Sequence, residues 1–333
     1  MNPLVIAEGG VCHNGDLGRA LEMVAAASEC GADVIKFQIF KSEKLAARSA
    51  KLAPYQQKNS LNALNQYEML KALELDQSAF EKLKDYSESL GIEFLLTPFD
   101  RQSSSWIRDL KMYRVKIGSG DLTDYLLLGH VAEYATEIFL STGMASYEEI
   151  AGAIEFIRLQ NSKVKVYPIY CVSSYPTRVE DLDLLVIKKF IDIYKTSVGF
   201  SDHTLGTNAA TAALALGATI FEKHFTLDKN LPGPDHSMSL GVDELKLYVE
   251  SIRAMHMALQ QKAAKSLTSS EIINAELVRK SLVAGRLIKK GEKFSLENLE
   301  ARRPGDGVSP SRLTEILGVV ANKDYEDGEQ ILL

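Results

Sequence analysis

The sequence has few cysteines and no long apolar run. Its three cysteines, Cys12, Cys30 and Cys171, are too few and too widely spaced for a disulfide framework or a thiolate zinc site, and a reducing compartment suits them. No apolar stretch approaches the roughly 20 residues that a membrane span needs. The first residues also lack the basic start and apolar core of a secretion signal. We therefore expect a cytoplasmic protein without a membrane partner.

An excess of positive charge is also missing. Lys and Arg number 38 and Asp and Glu number 44, so the formal net charge is −6 and phosphate backbones are not generally attracted. We expect no nucleic-acid partner. The composition, 46% hydrophobic and 25% charged, is typical of globular proteins and excludes a disordered or collagen-like chain. A length of 333 residues allows one large domain and a small second one.

Short apolar, β-branched runs alternate with amphipathic stretches, as in successive βα units. The predicted strands are Leu4 to Ala7, Val34 to Phe37, Phe94 to Leu96, Val115 to Ile117, Ile138 to Leu140, Val164 to Ile169, Val198 to Phe200 and Thr219 to Glu222. The predicted helices include Asp16 to Cys30, Ser78 to Leu90, Tyr147 to Leu159 and Asp243 to Met257. Eight such units predict a (β/α)8 TIM barrel over residues 1–262. An open doubly wound sheet is the alternative.

The βα rhythm ends before the last part of the chain. Residues 263–278 read as a linker with some helix. Residues 279–333 have short strands, glycine-rich turns and one brief helix near Ser311 to Leu317, which indicates a separate small domain. A domain of about 55 residues is near the lower size limit for independent folding, so we expect it to lean on the barrel or on another subunit.

Polar side chains follow almost every predicted strand. Because chemistry in a TIM barrel lies at the carboxyl ends of the strands, these residues converge on one polar mouth. His203 and His224 follow neighbouring strands and can reach one point, which suits an open divalent-metal site. A structural, hydrogen-bonding role is the alternative for each histidine.

Two lysines lie within apolar strands, where an unpaired ammonium is costly. Lys36 and Lys116 therefore need an anion, and Ser119, Ser141 and Ser201 add hydroxyl donors for a phosphate or carboxylate. Internal salt bridges to Glu8, Asp121 or Asp202 are the alternative. Glu8 ends the first strand, where it could act as a general acid or base or simply pair with Lys36. In the turn Leu231 to His236, Asp235 and His236 could meet substrate hydroxyls, and a plain turn is the alternative.

Taken together, these motifs resemble the sialic acid synthase family, whose members condense phosphoenolpyruvate with an N-acetylated aminosugar. The resemblance spans the chain. It is carried by residues 6–10, 13–15, 34–38, 97–99, 116–120, 141–144, 175–177, 200–204, 222–228 and 233–236, and by residues 279–282 and 302–307 of a C-terminal antifreeze-like (SAF, β-clip) domain.

The resemblance implies roles for individual residues. His203 and His224 would bind a divalent metal, with Mn²⁺ preferred and Mg²⁺ or Co²⁺ as alternatives. Glu8 would be catalytic. Phosphoenolpyruvate would be held by Lys36, Thr97, Lys116, Ser119, Ser141, Ser173 and Ser201. The sugar would meet Gln38, Phe99, Asp121, Tyr175, Asp235 and Arg303. Arg303 would reach the barrel of another subunit, which implies a domain-swapped, head-to-tail homodimer.

Three residues depart from the family pattern: Cys12, Tyr170 and Ser173 stand where members commonly have other side chains. The resemblance implies an N-acetylneuraminate synthase as the first expectation. The alternative is a legionaminate or pseudaminate synthase, which takes a 2,4-diacetamido-2,4,6-trideoxyhexose. A metal-dependent pyruvate aldolase of the same fold, a Schiff-base aldolase, and a binding protein with a decayed barrel are further alternatives.

Overall fold

The computed structural model describes residues 2–52, 63–260 and 265–332. Its contacts divide the chain into two compact units, residues 1–261 and 262–333. The strands of the first unit are β1 Leu4–Gly10, β2 Val34–Ile39, β3 Glu93–Pro98, β4 Arg114–Ile117, β5 Glu137–Ser141, β6 Lys165–Tyr170, β7 Gly199–Asp202 and β8 Ile220–His224. Its helices are α1 Leu17–Glu29, α2 Ser42–Leu45, α3 Gln66–Leu73, α4 Gln77–Ser89, α5 Arg101–Asp109, α6 Tyr125–Ala132, α7 Tyr147–Gln160, α8 Leu185–Tyr194, α9 Asn208–Ala215 and α10 Val242–Leu259.

The eight parallel strands confirm the predicted barrel. Their order is β3-β2-β1-β8-β7-β6-β5-β4, so β1 pairs with both β2 and β8. Pairing of the first strand with the last is what a barrel requires and what the doubly wound alternative lacks. At the amino end of β4, the guanidinium of Arg114 lies 2.6 Å from Glu93 on β3 and 2.6 Å from Glu137 on β5. This bridge ties β4 to both of its neighbours.

Local sequence signals explain where the helices begin. Asp16, Asp76 and Asp100 each accept a hydrogen bond from a backbone N–H of the first turn of α1, α4 and α5. Ser146 begins α7 with a full capping box. These side chains satisfy donors that the helix itself leaves free, and they fix where each of these four helices begins.

Several strands extend further toward their carboxyl ends than the sequence predicts. Glu8, Gln38, Ser141 and Ser201 therefore lie inside strands rather than in the following loops. His224 is the last residue of β8, whereas His203 follows β7 directly. A strand position fixes a side chain to one face of the sheet, so these groups are held more rigidly than loop residues.

The second unit has its own small core. Strands β9 Ser281–Ala284 and β10 Leu299–Arg302 pair antiparallel, and the short helix α12 Leu313–Ile316 follows a 3-10 turn. The buried residues include Leu282, Ile288, Phe294, Ile316 and Tyr325. The predicted linker lies partly outside the described residues. Its described part contains the helix α11 Ser269–Val278, all of whose side chains are at least partly exposed.

In the described part of the chain, no helix combines the length and the hydrophobicity that a membrane crossing requires.

Candidate active site

A cavity of about 400 Å³ opens at the carboxyl ends of the barrel strands. The structure brings most of the predicted site residues to its wall: Glu8, Lys36, Gln38, Thr97, Phe99, Lys116, Ser119, Ser141, Ser173, Tyr175, Ser201, His203, His224 and Asp235. Asp121 lies beside the cavity, where Oδ2 is buried without a hydrogen-bond partner. Burial, together with Asp124, raises the pKa of Asp121 to about 7. Arg303 is exposed and belongs to the second unit.

Lys36 is buried among three oxygen-bearing side chains. Its Nζ lies 2.6 Å from Oε2 of Glu8 and donates a 2.9 Å hydrogen bond to Oγ1 of Thr97. Burial would lower the pKa of Lys36, but Glu222 and Glu8 raise it above its usual value. Lys36 therefore keeps its positive charge at pH 7. The predicted internal pair of Lys36 with Glu8 is present, and it lies on the wall of the cavity.

A second carboxylate at the site, Glu222, has a role that the sequence analysis missed. Its Oε2 lies 3.4 Å from Nζ of Lys116 and 3.7 Å from Nζ of Lys36, and Ser201 donates a 2.8 Å hydrogen bond to Oε1. Burial would raise the pKa of Glu222, but the two ammonium groups outweigh it and hold that pKa far below its usual range. The sequence contains a pattern that could have identified Glu222. It precedes His224 by two residues, and alternate residues of a strand share a face.

Of the other two partners proposed for the lysines, neither Asp121 nor Asp202 forms an ion pair with Lys36 or Lys116 among the described residues. Lys116 donates a 2.6 Å hydrogen bond to Ser141 and pairs with Glu222, while Asp202 lies 3.2 Å from Lys223 on the outer side of the sheet.

Burial is the main cause that raises the pKa of Glu8. A carboxyl group that takes up a proton readily, next to fixed cations, suits proton transfer beside an anion.

The two predicted metal ligands lie close together. The ring centroids of His203 and His224 are 5.6 Å apart, and the ring of Tyr175 lies 4.3 Å from that of His203. Nδ1 of His203 donates a 2.8 Å hydrogen bond to the carbonyl of Val172, which leaves Nε2 as the lone-pair nitrogen. Nδ1 of His224 is buried without a hydrogen-bond partner.

Both imidazoles have the charge state that a metal ligand needs. Burial lowers the pKa of His203 and of His224, so both rings are neutral at pH 7. Among the described residues, no group of three or more His, Cys, Asp and Glu side chains could hold a metal ion. The chain thus offers two neutral imidazoles, and one of them has an orphaned buried nitrogen. This donor set fits an open divalent site completed by water and substrate oxygens.

Hydroxyl groups line the cavity beside Lys116. Ser119 lies 3.1 Å from the sulfur of Cys171 and accepts a 3.0 Å hydrogen bond from the backbone N–H of Gly143. Ser173 also lines the cavity, unlike the other two residues that depart from the family pattern. Cys12 is buried beside Ser239, and the hydroxyl of buried Tyr170 accepts a hydrogen bond from Asp183 N–H.

An apolar wall lines part of the cavity. We define it as Val11, Leu45, Met69, Leu70, Leu73 and Phe99. These residues come from α2, α3 and the segments that follow β1 and β3, whereas Ser119, Ser141, Ser173 and Ser201 lie on or after β4 to β7. Lys36 on β2 and Thr97 on β3 belong to the polar part of the lining. The wall is not apparent from the sequence, because α3 lies between two barrel strands and its helical period is indistinguishable from that of a core helix.

The turn Leu231 to His236 has a structural histidine. His236 is fully buried, and its two ring nitrogens lie 2.7 Å from Oγ1 of Thr226 and 3.2 Å from Oδ1 of Asn14. The expectation that His236 meets substrate is therefore wrong, since both nitrogens are occupied by protein groups. Asp235 does line the cavity. Burial, and next the charge of Glu8, raise the pKa of Asp235 to about 7.

Comparison with known proteins gives consistent matches. The model of the NeuB family matches residues 23–264, and that of the SAF domain matches residues 279–333. An N,N'-diacetyllegionaminic acid synthase of Campylobacter jejuni is 42% identical over 98% of both chains. An N,N'-diacetyllegionaminic acid synthase of Legionella pneumophila is 39% identical over 100% of this chain and 94% of that relative's length. The crystal structure of an N-acetylneuraminic acid synthetase from Leptospira borgpetersenii has a TM-score of 0.71 at 30% identity, over 83% of this chain and 91% of its own.

Proposed function

This chain belongs to the NeuB family, and we propose that it condenses phosphoenolpyruvate with a 2,4-diacetamido-2,4,6-trideoxyhexose and water to give a nine-carbon 2-keto sugar acid and phosphate. The relatives named legionaminic acid synthase, at 42% and 39% identity, favour this acceptor over N-acetylmannosamine, which was the first expectation. The observation that carries the proposal is the lining of one cavity by Lys36, Lys116 and several hydroxyl groups, which we assign as an anion-binding arc, together with the apolar wall.

Phosphoenolpyruvate occupies the arc with the cations and hydroxyl groups. Lys36 and Lys116 balance the charges of its phosphate and carboxylate, because both ammonium groups are buried and fixed. The side chains of Thr97, Ser119, Ser141, Ser173 and Ser201 supply neutral donors around it. Glu222 keeps both lysines in place before the substrate arrives.

The two histidines hold a divalent metal, for which we propose Mn²⁺, with Mg²⁺ or Co²⁺ as alternatives. When bound, the ion supplies Lewis acidity that polarises the aldehyde oxygen of the open-chain sugar. The neutral state of both rings and the hydrogen bond from His203 to Val172 prepare the two imidazoles as ligands.

Carbon chemistry then takes place between the arc and the wall. The methylene carbon of phosphoenolpyruvate forms a bond to the aldehyde carbon, whose oxygen gains a proton, and C2 becomes cationic. Water adds to C2 and loses a proton, which leaves a tetrahedral intermediate with a hydroxyl and a phosphate on C2. The hydroxyl then loses its proton as the C–O bond to phosphate breaks, so that the 2-keto group forms and phosphate leaves with the bonding electron pair. Glu8 handles a proton in these steps, because its raised pKa lets it change charge and it lines the cavity beside Lys36.

The sugar contacts combine polar groups with the apolar wall. Gln38, Tyr175 and Asp235 hold hydroxyl or amide groups, and Phe99 packs against the ring. The wall accommodates methyl groups of the acceptor, the 6-deoxy carbon and the acetyl groups, since burial of a methyl group is favourable whereas burial of an unpaired hydroxyl is costly.

The protein acts as a head-to-tail homodimer in this proposal. Arg303 of the second unit completes the cavity of the other subunit. In support, Arg303 is exposed and α11 leaves the apolar side chains of Ile273 and Leu277 64% and 65% exposed.

The proposal is tested by phosphate release from phosphoenolpyruvate. Metal-stripped protein receives Mn²⁺ and 2,4-diacetamido-2,4,6-trideoxymannose, its altrose isomer, N-acetylmannosamine or no sugar. We expect release that requires both the metal and a diacetamido sugar. Faster release with N-acetylmannosamine would contradict the acceptor, and condensation from pyruvate without phosphate release would contradict the reaction.

A further inference from the structure

A buried ion pair lies directly behind the two histidines, outside the cavity. Asp202 ends β7 and Lys223 is its ladder partner on β8. The carboxylate Oδ2 lies 3.2 Å from the ammonium Nζ, and the side chains are 0% and 3% exposed. Because strand side chains alternate between faces, Lys223 points outward between Glu222 and His224, which line the cavity.

The ammonium group of Lys223 also holds the backbone on the far side of His203. It donates a short hydrogen bond to the carbonyl of Thr204. Oδ1 of Asp202 accepts hydrogen bonds of 2.9 Å and 2.7 Å from the backbone N–H and hydroxyl of Thr204. Asp202 and Thr204, the residues on either side of His203, thus both contact the ammonium group of Lys223. Lys223 directly precedes His224.

The residues packed around the ion pair of Asp202 and Lys223 exclude water from it. Thr204 is 4% exposed, and the ring of the fully buried Tyr248 on α10 lies 5.5 Å from Nζ of Lys223. In such surroundings, separation of the two side chains would leave each buried charge unpaired, at a high cost in free energy. The carboxylate and the ammonium group are therefore held together.

We infer that Asp202 and Lys223 are positioning residues that fix the separation and orientation of His203 and His224 for a divalent metal. The inference rests on the proposed function, since that proposal assigns the metal to these two rings. Lys223 contacts no reacting group, so its effect on chemistry is indirect. Groups behind a metal ligand commonly change metal affinity by about 10-fold to 100-fold when they are removed.

The decisive variant removes both charges together. Asp202→Asn with Lys223→Met leaves no unpaired buried charge, and the new amide oxygen can still accept from Thr204, so we expect the barrel to fold. The tie from the ammonium to the Thr204 carbonyl is lost. The matched control is Arg253→Met, which breaks the 2.6 Å ion pair with Asp33 at the opposite, amino end of the barrel.

Three properties are measured on full-length protein: Mn²⁺ affinity by calorimetry, the electron paramagnetic resonance spectrum of bound Mn²⁺, and phosphoenolpyruvate affinity without metal. For the double variant we expect a Kd for Mn²⁺ raised by about 10-fold or more and a changed spectrum, with phosphoenolpyruvate affinity kept. Arg253→Met should keep all three properties at wild-type values.

The outcomes separate this inference from the proposed metal site. A folded double variant with the wild-type Mn²⁺ affinity and spectrum would overturn the inference alone, provided that His224→Ala abolishes Mn²⁺ binding. Unchanged Mn²⁺ binding in His224→Ala would instead overturn the metal assignment, and the inference would fall with it.

Discussion

Nζ of Lys36 lies 2.6 Å from Oε2 of Glu8, and the two residues are ladder partners on neighbouring strands. The pair lies on the wall of the cavity, and Nε2 of Gln38 donates a 3.4 Å hydrogen bond to the other carboxylate oxygen. In the proposed function, this carboxyl group exchanges protons with the reacting centre while Lys36 holds the anion. The catalytic assignment of Glu8 therefore has a direct test.

Replacement of Glu8 should separate catalysis from binding. In Glu8→Gln the proton-transfer group is lost, so we expect kcat to fall by about 10²-fold to 10⁴-fold. Phosphoenolpyruvate affinity should hold or improve, because Lys36 keeps its charge and loses a competing anion. Phosphate-release kinetics and calorimetry measure the two effects. Glu74→Gln, which alters an ion pair with Lys41 and Lys71 outside the cavity, is the control. Near-normal turnover of Glu8→Gln would refute the assignment.

Glu222 should matter for stability when no substrate is bound. Glu222→Gln leaves the buried ammonium groups of Lys36 and Lys116 with one carboxylate fewer, at a cost of about 3–5 kcal/mol in the free energy of unfolding. Urea denaturation measures this loss. Phosphoenolpyruvate should stabilise the variant more than the wild type, since it supplies the missing negative charge. Glu137→Gln, in a more exposed ion pair, should cost about 1 kcal/mol. Equal stability of Glu222→Gln and wild type would contradict the prediction.

The barrel and the polar mouth could be predicted from the sequence because strand periodicity and strand-end residues are local properties. The position of Glu222 between two lysines could not, since it depends on the closure of β8 onto β1 and on side chains from three strands meeting inside the barrel. The role of His236 was misjudged for a related reason: a polar residue in a turn looks accessible, and only the contacts with Thr226 and Asn14 reveal its burial.

Gly143 should be required for the proposed phosphoenolpyruvate site. A Cβ at this position would lie 2.8 Å from Oγ of Ser119 and closer still to Oγ of Ser173. Gly143→Ala therefore displaces both hydroxyl groups, and we expect the Kd for phosphoenolpyruvate to rise about 10-fold, which corresponds to about 1.4 kcal/mol. Calorimetry measures the Kd for phosphoenolpyruvate in the variant and in the wild type. In the control Gly129→Ala, the added methyl group meets only an ordinary 3.5 Å contact with Phe156, and affinity should be unchanged. Unchanged affinity in Gly143→Ala would sink the prediction.

Acid should destabilise the fold through His13. Its Nδ1 accepts a 3.0 Å hydrogen bond from Gly15 N–H, and burial, with a smaller contribution from Arg19, lowers the pKa of His13 to about 4. The unfolded chain takes up a proton near pH 6.5 and the folded chain does not. The contribution of His13 to stability is therefore complete above pH 6.5 and falls by about 1.4 kcal/mol per pH unit down to about pH 4.

The variant His13→Asn keeps an acceptor for Gly15 and removes the titration. Between pH 7.5 and pH 5 the wild type should lose about 2 kcal/mol more unfolding free energy than the variant. Urea denaturation at the two pH values measures the difference. Parallel losses in the two proteins would show that His13 does not cause the acid sensitivity.

A mixture of two inactive proteins tests the shared cavity. If Arg303 completes the cavity of the other subunit, a dimer of one Glu8→Ala and one Arg303→Ala subunit contains one intact cavity, formed by the barrel of the Arg303→Ala subunit and Arg303 of the other. Each variant alone has none. Co-expression or refolding of an equal mixture should thus recover about a quarter of wild-type phosphate release, since half of the dimers are mixed and each has one working cavity. If Arg303 instead served the barrel of its own subunit, each subunit of the mixed dimer would carry one defect, and activity would stay at the level of the separate variants.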